Sequence, residues 1–234
     1  MASMVSGNTL AEIAALIGDV ARANILSALM DGRALTASEL AWHSGVSPQT
    51  TSGHLAKLSE ANLIAMTRQG RHRYYRLASP EVAQAIEALM SVASFGPKRH
   101  RPLGPKDEAL RNARTCYDHL AGRLGIAVAD ALTEKNYIVL SESAGAVTNE
   151  GQRFLCDLGI DLQERRGHHR ALCRTCLDWS ERRPHLAGRL GAALCARMFE
   201  LGWVERIKDS RALAVTPTGK SGLEEFFGIT EQSS

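Results

Sequence analysis

Long apolar runs are missing from this 234-residue sequence, and no stretch approaches the roughly 18 apolar residues that a membrane-spanning helix needs. Residues 1–8 lack the basic start and apolar stretch of a secretory signal, and they are predicted to be a flexible tail. Aromatic residues are scarce, at 5%, which favours small helical packing units over a β-sandwich. We therefore expect a cytoplasmic globular protein without membrane contacts.

Cysteine is also sparse, since there are five residues and all lie in the second half of the chain. An odd number with this distribution argues against an extracellular disulfide scaffold and predicts reduced thiols in a cytoplasm. The formal net charge of +3 is small. It is compatible with binding to nucleic acid, but the distribution of charge carries more information than the total.

The N-terminal part of the chain has the pattern of several short helices. Residues 10–30 carry apolar side chains at helical spacing with one break. Thr36 followed by Glu39 has the pattern of a capping box, and Ser47 before Pro48 has the pattern of another helix start. Two short helices separated by a glycine-containing turn predict a helix-turn-helix.

The second of these helices has an apolar face and an opposite polar face, which suits contacts with base edges in the major groove. The segment 64–77 is predicted to be a hairpin with four arginines around a turn, which is typical of a phosphate-binding wing. The predicted DNA contacts are Ser47, Gln49, Thr50, Gly53, His54 and Lys57 on the helix and Arg68, Arg71, His72, Arg73 and Tyr75 on the hairpin. An ordinary solvated helix face explains the helix alone equally well, and the charged hairpin favours DNA binding.

Two segments of the sequence resemble a known protein family. The sequence VSPQTTSGHLAKLSEANLI at residues 46–64 is similar to the recognition helix of the ArsR family of repressors, and GRHRYYRL at residues 70–77 is similar to its wing. The resemblance implies a winged helix-turn-helix over residues 9–94, and a homodimer that binds double-stranded DNA at an inverted-repeat operator until an inducer releases it. It also implies that the terminal helices of this domain, among them the helix at 79–94, form the dimer interface. Asn62 replaces the commoner glycine, but asparagine tolerates the same backbone.

The ligands of the two usual metal sites in the resembled family are missing from this sequence. Residues 39–44, on the first helix of the helix-turn-helix, contain no cysteine. The helix at 79–94 offers Glu81 and Glu87 but neither histidine nor aspartate. Any sensing chemistry is therefore expected in the remaining residues.

The C-terminal part is predicted to be a separate domain. Residues 95–106 are rich in proline, glycine and basic residues and are predicted to be a basic linker. Residues 107–230 are predicted to form a sensory and dimerisation domain. Two hairpin-like segments each precede the helix start Val-Thr-x-x-Gly, and a helix is predicted at 182–201. The predicted fold class is mainly α with small β-hairpins (α+β), a winged helix-turn-helix followed by a helical, degenerate winged-helix-like domain.

A long helix is predicted at residues 107–133, because apolar residues recur every three or four positions. Within this helix Cys116, His119 and Arg123 would be neighbours on one face and could line a pocket.

Residues 165–185 hold the chemically richest stretch of the sequence, which includes His168 and His169. Cys173-x-x-Cys176 has the spacing of two ligands to one tetrahedral ion, although a single such motif is a weak signal. The predicted ligands of zinc or another transition metal are Cys173, Cys176, Cys116, His119 and His185.

Three other interpretations of this stretch stay open. One is a redox switch at Cys173, Cys176 or Cys116, because nearby arginines favour reactive thiolates. Another is a site for a small organic or anionic inducer held by Arg123 and Trp179. In the third, the cysteines are only small hydrophobic core residues.

The sequence thus predicts a DNA-binding transcriptional regulator, a homodimeric repressor released by a metal, by thiol oxidation or by a small molecule. A DNA-binding architectural protein without an inducer is the alternative. A cysteine-dependent enzyme is the least favoured class, because no phosphate loop, nucleophile elbow or HExxH motif occurs, and no catalytic residue is predicted.

Overall fold

The computed structural model describes residues 6–94, 105–141, 144–162, 171–208 and 210–230. The chain divides into two compact units, residues 1–86 and 87–234, so the boundary precedes the predicted one at residue 94. The predicted α+β class with small hairpins is confirmed. Among the described residues no helix is long and apolar enough to cross a bilayer.

The predicted tail and linker lie mostly outside the described residues. Residues 1–5 of the tail and 95–104 of the linker belong to this part, as do His168 and His169. Gly7 and Asn8, assigned to the tail, already belong to the first helix, and Pro105 and Lys106, assigned to the linker, begin another.

The first unit has the predicted order of a winged helix-turn-helix. Its elements are α1 (Gly7–Ile17), α2 (Val20–Leu29), β1 (Leu35–Thr36), α3 (Ala37–Ser44), α4 (Pro48–Glu60), β2 (Ile64–Gln69), β3 (His72–Leu77) and the beginning of α5 (Pro80–Ser94). The strands form one antiparallel sheet in the order β1-β3-β2. Its core is aliphatic and includes Ile25, Leu29, Leu40, Leu58 and Leu77.

Local capping explains where these helices begin and end. The capping box of Thr36 and Glu39 is present, with both reciprocal hydrogen bonds. The Ser47 hydroxyl accepts a hydrogen bond from the Thr50 N–H at 3.2 Å and starts α4. Gly45 (φ 70°) ends α3 in the left-handed region, and Asn62 (φ 56°) takes the same conformation after α4, as predicted.

The second unit contains two repeats with the same order of elements. The unit begins with the end of α5 and with α6 (Pro105–Asn112). The first repeat follows and has β4 (Arg114–Cys116), β5 (His119–Ala121), α7 (Gly122–Glu134), β6 (Ile138–Leu140), β7 (Gly145–Val147) and α8 (Asn149–Asp157). The second has β8 (Arg174–Leu177), β9 (Pro184–Ala187), α9 (Gly188–Glu200), β10 (Val204–Arg206), β11 (Leu213–Val215) and α10 (Pro217–Gly222), which continues as a π-helical segment, Leu223–Phe227.

Each repeat completes the second hairpin of the other. The N–H of Gly145 on β7 donates to the carbonyl of Cys173 at 3.1 Å, and the N–H of Leu213 on β11 donates to the carbonyl of Ala113 at 2.8 Å. Both repeats also contribute to one hydrophobic core, in which α7 and α9 place residues such as Leu124 and Leu190. Because each repeat packs against the other in this equivalent way, the hairpins β4–β5 and β8–β9 lie close together.

The long helix predicted at residues 107–133 is wrong. The β4–β5 hairpin separates α6 from α7, with Tyr117 (φ 59°) in its turn and Gly122 (φ 76°) where α7 begins. A Cβ at Gly122 would lie 2.5 Å from the carbonyl oxygen of Arg111, so a side chain does not fit there. Both strands are buried on both faces, and such strands lack the polar-apolar alternation that distinguishes them from helices.

The helix predicted at 182–201 is wrong in its first part for the same reason. Pro184–Ala187 forms β9, and three of its four residues are buried. The helix begins only at Gly188 (φ 81°). The two hairpin-like segments that precede Val-Thr-x-x-Gly are confirmed as β6–β7 and β10–β11.

Candidate functional site

The outward face of α4 is polar and exposed. Thr51, Leu55 and Leu58 are buried, as their spacing predicts. The exposed side of the helix and its N-cap carry Ser47, Gln49, Thr50, Gly53 and Lys57. His54 is half-buried, and its Nδ1 lies 3.3 Å from Arg22 Nη1, so this side chain is partly engaged within the unit.

The wing concentrates positive charge at the tip of β2–β3. Arg68, Arg71, His72 and Arg73 are exposed. Arg68 lies directly opposite Arg73 in the hairpin register. Like charges in this position destabilise an isolated hairpin, and a bound phosphate would relieve the repulsion.

Tyr75 was predicted to contact DNA, but its side chain is not on the exposed surface of the wing. Its side chain is only 8% exposed, and it lies opposite Leu35 where β3 pairs with β1. The ring therefore belongs to the core, because alternate residues of β3 face the interior and solvent. The neighbouring Tyr74 is half-buried.

Four potential metal ligands meet in the second unit: Cys116, His119, Cys176 and His185. We call them the Cys2His2 cluster. Cys116 is directly opposite His119 in β4–β5, and Cys176 is directly opposite His185 in β8–β9. Directly opposite residues project from the same face of a hairpin, so each repeat presents one thiol and one imidazole.

The spacing of the donor atoms fits one tetrahedral ion. All four lie within 4.8 Å of one another, and the two Sγ atoms are 4.0 Å apart. With Zn–S and Zn–N bonds of about 2.3 and 2.0–2.1 Å, neighbouring ligand atoms are separated by roughly 3.3–3.8 Å. The cluster is thus slightly wider than a metal-bound site, and shifts of about 1 Å or less would close it.

Each of the two imidazole rings of the cluster has at least one buried nitrogen atom without a hydrogen-bond partner among the described residues. Nε2 of His119 and both ring nitrogens of His185 are buried and have no hydrogen-bond partner among the described residues. A buried polar atom without a partner costs free energy, so such atoms call for an explanation such as a bound ion.

An aspartate accompanies each histidine. Asp118 Oδ1 lies 3.2 Å from Nδ1 of His119, and Asp178 Oδ2 lies 3.6 Å from Nδ1 of His185. A carboxylate beside Nδ1 favours the tautomer that leaves Nε2 free to bind a metal. Burial lowers the pKa of His119, but Asp118 and Cys176 outweigh this effect and raise it.

The two thiols of the cluster are electrostatically unequal. A hydrogen bond from Cys116 lowers the pKa of Cys176, and this effect outweighs burial, with further help from His119 and His185. The same hydrogen bond, together with burial, raises the pKa of Cys116. One thiolate is therefore already favoured, and the thiolate is the form that binds metals.

A buried ion pair holds the two hairpins around the cluster. Arg114 and Asp178 are both fully buried, with Nη2 and Oδ2 2.8 Å apart. Asp178 also accepts a hydrogen bond from the N–H of Gly122 at 2.7 Å. Burial raises the pKa of Asp178, but Arg114 and the hydrogen bonds outweigh it and hold this pKa well below its usual range.

Cys173 lies outside the cluster, although its spacing from Cys176 predicts it to be a ligand. Its Sγ packs against Gly145, where a Cβ would lie 2.6 Å from the sulfur, and burial raises its pKa to about 11. Residues three apart in an extended strand point to opposite faces, so Cys173 and Cys176 diverge. Burial also raises the pKa of Cys195 to about 12, which fits a small hydrophobic core residue.

The predicted inducer residues are engaged within the second unit. Arg123 is not beside Cys116 and His119 on a helix face; its Nη1 lies 2.8 Å from both Glu108 and Asn112. Trp179 stacks under the guanidinium of Arg114, 4.6 Å from the ring centroid. The structure thus assigns both side chains to internal contacts.

The sequence contains a repeated motif that was not among the predictions and that would have identified the cluster. Residues 114–118 read RTCYD and 119–125 read HLAGRLG, while 174–178 read RTCLD and 185–191 read HLAGRLG. Aligning the two copies pairs both cysteines, both histidines and both aspartates. The six residues between the parts of the second copy, 179–184, obscure the match.

Several known regulatory proteins are similar to this chain in sequence. Residues 19–65 match the family described as "Bacterial regulatory protein, arsR family". The HTH-type transcriptional regulator YdfF of Bacillus subtilis (strain 168) is 43% identical over 220 residues, which cover 94% of this chain and 97% of that protein. The HTH-type transcriptional regulator CmtR of Mycobacterium tuberculosis (strain ATCC 25618 / H37Rv) is 34% identical over 85 residues, 36% of this chain and 71% of CmtR.

Solved structures are similar over a smaller part of the chain. The homodimeric winged helix-turn-helix DNA-binding domain of Mb0332 from Mycobacterium bovis is 24% identical and covers 43% of this chain and 97% of its own, with a TM-score of 0.37. The cadmium metal-sensor CmtR from Mycobacterium tuberculosis is 30% identical and covers 41% of this chain and 98% of its own, with a TM-score of 0.32. The matched helix-turn-helix and the relative that extends over nearly the whole chain show that the protein belongs to the ArsR family of HTH-type transcriptional regulators.

Proposed function

We propose that this protein is a homodimeric repressor that binds an inverted-repeat operator and releases it when a transition metal binds the Cys2His2 cluster. The observation that carries the proposal is the convergence of two thiols and two imidazoles within 4.8 Å, with unpartnered ring nitrogens. Two sulfur and two nitrogen ligands in a tetrahedral arrangement suit Zn²⁺. A bound ion would neutralise the thiolates and join the two repeats.

The DNA-binding half of the proposal is supported by α4 and the wing. The exposed face of α4 is short and polar, as a helix in the major groove requires. The arginines of the wing carry the charge that phosphate contacts need. In a dimer, two such helices would lie roughly 34–36 Å apart, in successive major grooves.

The dimer is supported by the apolar surface of α1. This helix is strongly apolar, yet none of its residues is buried. Leu10 is 65% exposed, and its neighbour one turn along, Ile13, is only half-buried. An exposed apolar helix face of this kind marks an interaction surface. A second copy of the chain is the partner that the family implies.

The test begins with full-length protein purified without oxygen. Its zinc content and free thiols are measured for the wild type, for Cys176→Ser, and for Cys156→Ser as the matched control, because Cys156 is exposed and outside the cluster. We expect about one zinc per chain in the wild type and in Cys156→Ser, and its loss in Cys176→Ser. A wild type that binds no zinc would contradict the metal site.

The response is tested with a DNA duplex that the metal-free protein selects from a random library. Fluorescence anisotropy gives its Kd with one equivalent of Zn²⁺ per chain and with a chelator. We expect zinc to weaken binding by about tenfold, within the 5–150-fold range of common allosteric couplings. Zinc binding with an unchanged Kd would make the site structural and contradict the sensing function.

Thiol oxidation is the second candidate signal, because Sγ of Cys116 and Sγ of Cys176 are only 4.0 Å apart. Oxidation by hydrogen peroxide would join the two sulfurs: the two thiols lose two electrons and two protons, and the peroxide takes these up and leaves as two molecules of water. Loss of two free thiols on peroxide treatment, together with loss of DNA binding in the zinc-free protein, would favour this signal over the metal.

A further inference from the structure

Arg22 joins the end of helix α1 to helix α4 within the first unit. Its guanidinium donates from Nε to the carbonyl of Leu16 at 2.6 Å and from Nη2 to the carbonyl of Ala15 at 3.0 Å. The third nitrogen, Nη1, lies 3.3 Å from Nδ1 of His54 on α4. Because the Arg22 side chain is only 12% exposed and is held by both carbonyls, the position of Nη1 is fixed.

The contact with Arg22 decides which nitrogen atom of the His54 ring carries the proton. A guanidinium has five N–H donors and no acceptor, so Nδ1 of His54 must accept the hydrogen bond. A ring nitrogen that accepts a hydrogen bond carries no proton, and the one proton of the neutral imidazole is then on Nε2. His54 therefore presents an N–H donor at Nε2.

Nε2 of His54 is available to an external partner. It has no hydrogen-bond partner in the part of the chain that the structure describes, and it is not one of the buried unpartnered atoms there. The ring is half-buried at the edge of the polar face of α4, where Gly53 and Lys57 are exposed. A side chain that is held at one end and open at the other is preorganised for recognition.

We infer that His54, oriented by Arg22, selects guanine in the major groove at one position of each half-site. The inference rests on the proposed function, in which the polar face of α4 meets base edges. An N–H donor requires an acceptor, and guanine presents two acceptors in the major groove, N7 and O6, whereas cytosine presents only the donor N4–H2. Adenine has a donor beside its single acceptor, and thymine has a methyl group beside its own. Guanine is thus the best match and cytosine the worst.

Arg22 is a positioning residue in this arrangement, because it acts on the DNA through His54. Without the guanidinium, the proton of the neutral ring is free to occupy either nitrogen atom. In the tautomer with the proton on Nδ1, Nε2 becomes an acceptor, which matches the N4–H2 group of cytosine instead of guanine. Removal of Arg22 is therefore expected to weaken the discrimination between the two bases.

The first measurement locates the proton on the His54 ring in DNA-free, full-length protein with nitrogen-labelled histidine. A long-range proton–nitrogen NMR spectrum shows which ring nitrogen carries the proton, and the spectrum of His54→Ala identifies the signals of this ring. We expect the proton on Nε2 in the wild type and in Arg33→Met, and a mixture of both tautomers in Arg22→Met. Arg33 is the matched control, because its guanidinium pairs with Asp31 and is partly exposed.

The second measurement is the base preference of the metal-free protein. The wild type and His54→Ala each select duplexes from a random library, and the base pair that only the wild type prefers marks the position that His54 reads. Fluorescence anisotropy then gives the Kd for the selected duplex and for a duplex with this pair inverted. We expect inversion to raise the Kd about tenfold in the wild type and in Arg33→Met, and by less than about twofold in His54→Ala and Arg22→Met. The ratio of the two Kd values cancels a general loss of affinity.

His54→Glu tests the polarity of the contact and retains Arg22, so it does not depend on the folding of Arg22→Met. A carboxylate accepts hydrogen bonds and donates none, and in the major groove it accepts from the N4–H2 group of cytosine. We therefore expect His54→Glu to bind the duplex with the inverted pair more tightly than the duplex that the wild type selects.

The outcomes separate the inference from the proposed function. A wild-type ring with its proton on Nδ1, a preferred pair without guanine, or a preference that His54→Ala and Arg22→Met leave unchanged would each overturn the inference, while the proposed function would stand. A wild type that selects no duplex would overturn the DNA-binding function and the inference with it. A proton on Nε2, together with loss of the preference in His54→Ala and its reversal in His54→Glu, supports the inference.

Discussion

Asp178→Ala would leave the fully buried guanidinium of Arg114 without its carboxylate, whose Oδ2 lies 2.8 Å from Nη2. The guanidinium would keep the carbonyl of Leu110, the hydroxyl of Ser180 and the ring of Trp179, none of which carries a negative charge. Glu87 also interacts electrostatically with Arg114, but burial raises the pKa of this carboxyl group and disfavours its charged form. The backbone N–H groups of Gly122, Ser180 and Glu181 would also lose their acceptor.

The size of the effect follows from the burial. Removing one partner of a buried ion pair costs about 3–5 kcal/mol, because the other charge stays desolvated and uncompensated. A change of this size lowers the melting temperature of a domain of 150–250 residues by about 6–20 °C. The pKa of Asp178 lies below its unfolded value, so its contribution is present above pH ~4 and is lost as the pH falls further.

The assay is urea unfolding of zinc-free protein at pH 7 in the presence of a chelator, followed by tryptophan fluorescence, since Trp179 and Trp203 both lie in the second unit. Asp130→Ala is the matched control. Asp130 forms an ion pair with Arg183 at 2.8 Å, but its side chain is 41% exposed and that of Arg183 is 58% exposed. Exposed pairs contribute about 0–1 kcal/mol, so the control should be nearly as stable as the wild type.

Equal stabilities for the two variants would refute the reasoning, because the pairs have similar distances and differ mainly in burial. The result would mean that water reaches Arg114 in the variant or that its guanidinium finds another acceptor. A large loss in Asp178→Ala alone would support the role of this pair in holding the two repeats together.

Two further predictions concern the first unit. Replacing Arg71 and Arg73 together by alanine should weaken binding to all DNA sequences alike. Because four arginines are removed per dimer, the slope of log K against log salt should fall by up to about 3.6. A salt titration with an unchanged slope would show that the wing does not contact phosphates. Leu10 lies on the exposed face of α1, and its replacement by glutamate should shift the protein from dimer to monomer, because a charge would be buried in the interface. Analytical ultracentrifugation measures this shift. An unchanged mass would place the dimer interface elsewhere.

The first unit was predictable because its signals are local. The capping box of Thr36 and Glu39, the N-cap at Ser47 and the left-handed Asn62 each act within a few residues, and the structure has all of them. The burial of Tyr75 was not predictable from the arginine-rich hairpin. It depends on the pairing of β3 with the two-residue strand β1, which lies about 40 residues earlier in the chain.

The second unit was predicted less well because its strands are short and two of them, β4 and β5, are buried on both faces. The spacing of the apolar residues at 113–121 therefore also fits a helix. Cys116 and His119 were predicted to be neighbours on that helix, whereas they are neighbours across the β4–β5 hairpin.

The sequence by itself determined the helix-turn-helix, the wing and the family resemblance, because caps, turn residues and helical periodicity act over a few neighbouring positions. It also contained, as the repeated Arg-Thr-Cys-x-Asp and His-Leu-Ala-Gly-Arg-Leu-Gly, the equivalence of the two halves of the Cys2His2 cluster. Only the tertiary structure decided which thiols meet. Cys116 and Cys176 are 60 residues apart in the chain, and they converge because each hairpin is packed against the other repeat, while the nearer Cys173 points to the opposite face of its strand.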